Sequence, residues 1–563
     1  MALNDTYDIG NLPILDLPRS KFTKNHQHLT TFNVGELVPI FCDELLPGCT
    51  INIRTNKLIR LQTLLNPIFS NIYMDTYYFF IPYRLVWSHF VNFMGENTAS
   101  EWYPSVTYSI PQLVANSTNG FPSKSVADHF GIPTKCKSLS VNALPFRAYA
   151  LVWNEFFRDE NLSSPIAIPT GDSTVNANYQ SSSFNYINDG YKGLDLLKVA
   201  KYRDVFTTCL PAPQKGPAVG VGLSGLIDVK TGDVRSTNIG TADVAMYTAD
   251  TVSASHPVVN LQYGRTGSNI GFMVGETEQS QTTLDPDVNG FRFTNLYGDL
   301  GSATASIPIN ELRLAVATQK LLERDARYGT RYIEIIQGHF GITSPDARLQ
   351  RPEFIGGNHF TLNIDQVVET SGTTDSYVLG ETGAYSVTAD SSDDVVAYSS
   401  TEHGIVIGLA CCRYEHSYQQ GLDKMWSRSD RLSFYWPELS NIGEVGVKVK
   451  EIWTDNVSTS STTRENIFGY QEAWYDYRTK KSYCTGEMRS NYNTPLDSWH
   501  LADYYNSKPV LGNDWILEDG NVVNRVLAVS NNVSDQVFAD FYFEYDYIAP
   551  IPVYSIPSLI DMR

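Results

Sequence analysis

Apolar and polar positions alternate along this chain in bursts. Thr50-Ile-Asn-Ile-Arg54 alternates strictly, and Gly443 to Glu451 does so again with Val445, Val447 and Val449 on one face. Near the end, Gln536 to Tyr547 sets Val537, Ala539, Phe541, Phe543, Tyr545 and Tyr547 on one face; the other mixes Asp540, Glu544 and Asp546 with aromatics. A period of two with one apolar face predicts half-buried strands, hence an antiparallel sandwich or barrel. Asn71 to Ile81 is apolar on both faces, the pattern of a central strand covered on both sides.

Helical periodicity is rarer. Pro145 can take the first helical position before Phe146, Tyr149, Trp153, Phe156 and Phe157. Asn310 can cap a second helix that buries Leu312, Ala315, Val316, Leu322 and Ala326, with Gly329 at its C-terminal cap. Tyr83 to Met94, directly after the central strand, is a third candidate.

Texture divides the chain further. Residues 1–30 read as an N-terminal arm carrying Arg19, Lys21 and Lys24, either a contact to nucleic acid or a neighbouring subunit or simply an exposed terminus. Residues 31–216 form the first part of a β core with helical insertions. Residues 217–307 are rich in Gly, Thr, Ser and Asp; a structureless loop of that length is improbable, so they read as an inserted β-rich excursion. Residues 308–563 resume the core, with a surface hairpin or mobile loop near 370–400.

Composition narrows the class. At 563 residues the length fits roughly four domains or one large β domain with insertions. Hydrophobic residues at 42% exclude a disordered chain, and 39 Gly with 27 Pro exclude a collagenous one. Charged residues are only 18%, which fits either a surface covered by other subunits or a β protein that uses Ser, Thr and Asn as polar residues. The net charge of −19 argues against nucleic-acid binding by the whole molecule, though a local basic patch is compatible with it. Seven cysteines without a C-x-x-C signal neither a disulfide framework nor a zinc ribbon, and Cys411-Cys412 reads as a reduced pair within a strand. No signal peptide and no membrane-length apolar run is visible, so cytoplasmic synthesis and no membrane insertion are expected.

Catalytic motifs are lacking. No P-loop, H-E-x-x-H, EF-hand or G-x-G-x-x-G context occurs, and Gly222-Leu-Ser-Gly225 misses the last glycine of a nucleophile elbow. Glu402-His403 and Glu415-His416 lack the convergent spacing of a metal site. No catalytic residue, metal ligand or cofactor is expected. Arg313, Arg324, Arg327, Arg331, Arg348 and Arg351 interleave with Glu323, Asp325, Glu334, Asp346 and Glu353 around and beyond the second helix. That density favours an ion-pair network within or between subunits over a merely solvated helix face.

The same segments resemble the major capsid protein of microviruses, small icosahedral single-stranded DNA phages, nearest the gokushovirus branch. Thr31-Phe-Asn-Val-Gly-Glu-Leu-Val-Pro-Ile40 with Asp43-Glu-Leu-Leu-Pro-Gly48 is similar to the family's first strand and turn. Asp75 to Trp87, Phe93-Met-Gly-Glu-Asn97, Trp153 to Leu162, Leu196 to Arg203 and Cys209 to Gly216 follow in order. The most specific block runs from Leu321-Leu-Glu-Arg-Asp-Ala-Arg327 through Phe340-Gly341 to Ser344-Pro-Asp-Ala-Arg-Leu-Gln-Arg-Pro-Glu353. Glu402-His-Gly404, Tyr418-Gln-Gln-Gly421, Met425-Trp-Ser-Arg428, Phe468-Gly-Tyr-Gln-Glu472 and Ser498-Trp-His500 complete it. Cys49 departs from the family's usual Asp, and Pro550 to Leu559 only approximates its ending.

The resemblance implies a mainly β fold, an eight-stranded antiparallel jelly roll with long insertions and a few helices. It implies sixty copies in an icosahedral shell around a circular single-stranded DNA genome, assembled in a bacterial cytoplasm. The implied partners are a small basic DNA-binding protein, a DNA pilot protein and a host surface receptor. The basic protein suits a chain of −19, because like charges repel around a negative genome. The 217–307 excursion stands where the family builds threefold protrusions. There Ile270, Phe272, Met273 and Val274 are either an exposed tip for host attachment or the insertion's own small core. Rival readings are a carbohydrate-binding β-sandwich protein and a jelly-roll glycoside hydrolase, which needs two carboxylates about 5–10 Å apart.

Overall fold

The computed structural model describes residues 18–97, 106–177, 184–220, 228–231, 245–248, 259–266, 269–275, 291–293, 296–299, 308–370, 372, 379–380, 382–391, 395–454 and 461–554. The chain divides into two units, residues 1–215 with 323–563, and residues 216–322.

The larger unit is built on two antiparallel sheets. In the first, β1 (Ser20–Thr23) and β2 (His26–Phe32) lie end to end along β10 (Val537–Ala549). β10 pairs with β4 (Thr50–Leu61) from Val537↔Leu61 to Ile548↔Thr50. Along the far side of β4 run β7 (Val387–Asp390) and β8 (Val395–Ser399), again end to end. The second sheet has the order β6 (Glu353–Thr361), β5 (Ile72–Pro82), β9 (Gly404–Tyr414), β3 (Val38–Leu45).

The side-chain period dictates how the sheets pack. β10 alternates buried and less buried positions along its whole length, as its sequence predicts. Its buried Phe541, Phe543 and Tyr545 meet Ile51, Ile53 and Ile59 of β4 and Ile40, Tyr78 and Val406 of the second sheet in one core. The two sheets are thus a sandwich. β5 and β9 are buried on both faces because the outer face of the second sheet carries a second core. Phe79, Ile81, Ile407, Leu409 and Cys411 pack there with Phe146, Tyr149 and Trp153. Each such side chain contributes about 1.5–3 kcal/mol by leaving water.

The helix over that face is α1 (Leu144–Val152), with Pro145 in its first turn and a π-helical continuation over Trp153–Phe157. Tyr149 anchors it, donating to the carbonyl of Leu37 at 2.8 Å and accepting from the Leu197 amide at 3.1 Å. A third cluster around Phe206, Tyr418, Ile452, Trp453 and Trp515 gathers the segments outside the sandwich.

Four expectations need correction. Residues 20–23 and 26–30, read as part of an arm, lie in sheet strands β1 and β2, and Phe22 packs against the sandwich core. Residues 387–390 and 395–399, read as part of a surface loop, supply the strands beyond β4, with Val396 and Thr388 buried. Thr382–Tyr385 pairs instead with Asp365–Val368 in a hairpin. Tyr83 to Met94 is two single helical turns, Tyr83–Val86 and Phe90–Phe93, separated where Trp87 turns extended. In α2 (Ile309–Tyr328) Asn310 lies inside the helix, and Leu312 and Val316 are exposed; only Ala326 is buried among its described residues. Gly329 does follow it with φ +116°.

The smaller unit holds a four-stranded sheet in the order Asn269–Gly275, Val259–Thr266, Ala245–Thr248, Phe291–Phe293. A second ribbon pairs Asp228–Thr231 with Leu296–Asp299. The unit ends within α2, fifteen residues beyond the expected end of the insertion at 307.

Candidate assembly surfaces

The acid–histidine pairs singled out in the sequence do not converge. Glu402 receives Arg84 Nε at 2.6 Å, and Glu415 accepts from the Tyr73 hydroxyl at 3.3 Å. His416 turns inward, its Nδ1 2.9 Å from Asp503 and its Nε2 3.2 Å from Glu518, all three buried. Burial opposes a charge on this ring, but the two carboxylates outweigh it and raise its pKa to about 9. The charged imidazolium form of His416 is therefore favoured where it lies between Asp503 and Glu518. Among the described residues no three His, Cys, Asp or Glu side chains gather as a metal site, and no helix is long and apolar enough to cross a membrane. Gly222-Leu-Ser-Gly225 lies outside the described residues.

A second charge cluster, centred on buried Asp75, ties the second sheet together. Asp75 of β5 receives Arg413 of β9 at 2.5 Å, His359 of β6 at 2.5 Å and the Tyr202 hydroxyl at 2.8 Å. Burial alone would raise the Asp75 pKa, but Arg413, His359 and Tyr202 together hold it below the usual carboxylate value. Neither cluster was foreseen. Their members stand tens to hundreds of residues apart, so no local spacing marks them.

Arg19, Lys21 and Lys24 are all engaged within the chain. Arg19 donates to Thr50 Oγ1 at 2.6 Å, Lys21 pairs with Asp546 at 2.8 Å and Lys24 with Asp43 at 2.8 Å. The Lys24 ammonium also lies 3.9 Å from the centroid of the Tyr547 ring. These cations decorate the β1–β10 edge of the first sheet.

The arginine-rich segment is a network inside one chain. Arg327 Nη2 meets Glu444 at 2.6 Å, and its Nη1 lies 3.4 Å from Glu472. Arg331 pairs with Glu160 at 3.0 Å and Glu334 at 3.2 Å, and donates to the carbonyls of Asn154 and Arg158 at 3.0 and 2.8 Å. Arg351 pairs with Asp346 at 3.3 Å and lies 4.4 Å over the Phe156 ring. Arg331 and Arg351 fasten the start of α3 (Tyr332–Phe340) and the segment after it to the π-helical turn Trp153–Phe157 and the residues just beyond it. Arg324 and Arg348 are exposed. In the smaller unit, Ile270, Phe272, Met273 and Val274 lie in one strand, in register with Arg265, Tyr263, Gln262 and Leu261.

The described clusters act as joints within the chain, and comparison with known proteins gives its class. Residues 11–559 match the family described as "Capsid protein (F protein)". "Capsid protein VP1" of Bdellovibrio phage phiMH2K is 38% identical over 567 residues, covering 99% of this chain and 98% of that protein. The proteins of the same name from Chlamydia phage 1 and Spiroplasma virus 4 are 36% and 37% identical, over 98% and 96% of this chain and 97% and 96% of theirs. The chain belongs to the F capsid-protein family, as a structural, non-enzymatic major capsid protein of the gokushovirus type.

Proposed function

We propose that this chain forms an icosahedral shell of sixty copies around a circular single-stranded DNA genome, and that its sandwich is an eight-stranded jelly roll. The observation that carries the fold reading is the strand order. Counting β1/β2 and β7/β8 as one strand each, eight strands run through the two sheets as 1-8-3-6 and 2-7-4-5. Two interlocked Greek keys of that order are a jelly roll. Near full-length identity to capsid proteins supports the shell, since a closed symmetric assembly is what a capsid chain must build.

The remaining roles follow from this reading. A shell of subunits at −19 needs positive charge inside, so a small basic DNA-binding protein accompanies the genome. A DNA pilot protein and a host surface receptor complete the partners. Arg19, Lys21 and Lys24 are candidate contacts to DNA or a neighbouring subunit, and Arg324 and Arg348 are exposed candidates for ion pairs between subunits. The 217–307 insertion is the candidate threefold protrusion, with Ile270, Phe272, Met273 and Val274 toward its receptor-binding tip. Synthesis and assembly take place in the bacterial cytoplasm, and the mature location is the virion.

The test is the native mass of the purified protein by light scattering or sedimentation, with its partner proteins present. A closed particle of several megadaltons is expected. A stable monomer or small oligomer under those conditions would overturn the shell.

A further inference from the structure

After β9 the chain leaves the sandwich. Residues 424–439 make three short 3-10 turns, Lys424–Ser427, Arg431–Ser433 and Pro437–Leu439. This segment turns large apolar side chains outward. Trp426 and Leu432 are each 70% exposed, and Met425, Phe434 and Tyr435 are about half exposed, as are Tyr477 and Tyr483 nearby.

Phe434, Tyr435 and Tyr477 meet in one surface, and Met425 lines the hollow beside Tyr477. The Arg428 guanidinium lies 5.5 Å from the Phe434 ring centroid and 4.4 Å from that of Tyr477. Tyr435 meets Tyr477 at 6.2 Å and Trp474 at 5.5 Å. The surface is also held in shape. Arg428 pairs with Asp476 and donates to the Ser433 carbonyl at 3.1 Å. Trp436 donates to the Arg431 carbonyl at 3.0 Å, and Trp474 to that of Leu439 at 2.7 Å. Little ordering entropy remains to be lost on docking.

The exposed area is that of an interface. An aromatic side chain carries about 150–250 Å². At the exposures above, the five aromatics leave roughly 600 Å² in water, the upper end for the largest patch of a typical monomer. Leu432 and Met425 bring it near the ~800 Å² that one partner gives a standard interface.

Charge selects the occupant. Four cations sit beside the patch on two carboxylates: Arg428 and Lys424 on Asp476, Lys480 and Lys481 on Asp423. Each is already engaged, which disfavours a phosphate backbone that needs them free. The positive excess suits the surface of a chain whose own net charge is −19. We infer that the surface made by residues 424–435 with Tyr477 and Tyr483 docks a second copy of this chain, with Trp426 and Leu432 as its anchors. The inference rests on the shell reading, which supplies that second copy.

Two measurements test it. In the unmutated chain, backbone hydrogen exchange across 424–435 should slow at least tenfold when subunits assemble; unchanged exchange would overturn the inference. The double variant W426A/L432S should keep the wild-type circular dichroism as a subunit and lose at least tenfold in assembled fraction. The control V533S, altered at a residue 79% exposed elsewhere, should assemble normally. Normal assembly of the double variant would overturn the docking surface alone, and normal assembly with loss of packaged DNA would reassign the patch to nucleic acid. A wild type that never assembles would remove the shell reading and this surface with it.

Discussion

Replacing His416 by Phe would test the buried charge triad directly. Phe keeps the ring's bulk and its packing 4.5 Å from the Tyr414 ring, so the loss is electrostatic rather than a cavity. It strands two buried carboxylates. Asp503 retains the Tyr505 hydroxyl at 3.0 Å, whereas Glu518 is wholly buried and its Oε1 has no hydrogen-bond partner among the described residues. Removing one partner from such a cluster costs about 3–5 kcal/mol. With an unfolding entropy near 2 cal/mol/K per residue, a chain of this length should melt roughly 3–4 °C lower. Differential scanning calorimetry at one concentration and one assembly state measures this.

The pH dependence has a definite sign. In the wild type His416 is raised to about 9, so its contribution is fully present below the ordinary histidine pKa and is lost as pH rises through about 9. In H416F the stranded carboxylates favour their protonated forms, so the variant regains stability on acidification. The gap in melting temperature should shrink between about pH 6.5 and pH 5, where the wild-type contribution is already complete and only the variant still gains. A variant within 1 °C of wild type at pH 7.5, or a gap that does not change with pH, would refute the reasoning.

Other perturbations separate the joints from the decoration. Phe541→Ala, at a fully buried position of β10, should cost about 3–5 kcal/mol in urea unfolding, with insoluble chain accumulating on expression. Arg331→Met strands Glu160 and frees two carbonyls; it should cost about 3 kcal/mol, and Arg331→Lys should recover only part because it lacks the fork. Lys21→Ala removes an exposed ion pair and should change unfolding by less than about 0.5 kcal/mol. Gly120 has φ +70°, and a Cβ there would lie 2.6 Å from the backbone of Lys135 and Cys136; Gly120→Ala should cost about 2 kcal/mol or more by the same unfolding measurement.

What could be read in advance was what periodicity carries. β4 and β10 were visible because one face of each is core, and β5 because both of its faces are. Edge strands were not, since β2 and β7 bury few side chains and their partners stand far along the chain. The apolar face of α2 misled because amphipathicity marks a surface that seeks a partner, not one already covered. The density of arginines was legible around 324–351, but their acceptors, Glu160, Glu444 and backbone carbonyls, come from elsewhere in the fold. His416 was noticed beside the wrong acid: its neighbour Glu415 faces Tyr73, while its partners lie 87 and 102 positions downstream.

The pairing of β2 with β10 has a consequence for how the chain is made. His26 lies opposite Phe543, so the sheet cannot close until synthesis has passed Phe543. At about 5–20 residues per second, the first strand waits roughly half a minute to two minutes for its partner. Meanwhile β4 lacks its longest neighbour, and its open backbone edge is a template for other nascent chains. The contact order of this sandwich thus makes translation itself a timer. A subunit becomes competent to join its neighbours only after β10 has emerged and covered that edge.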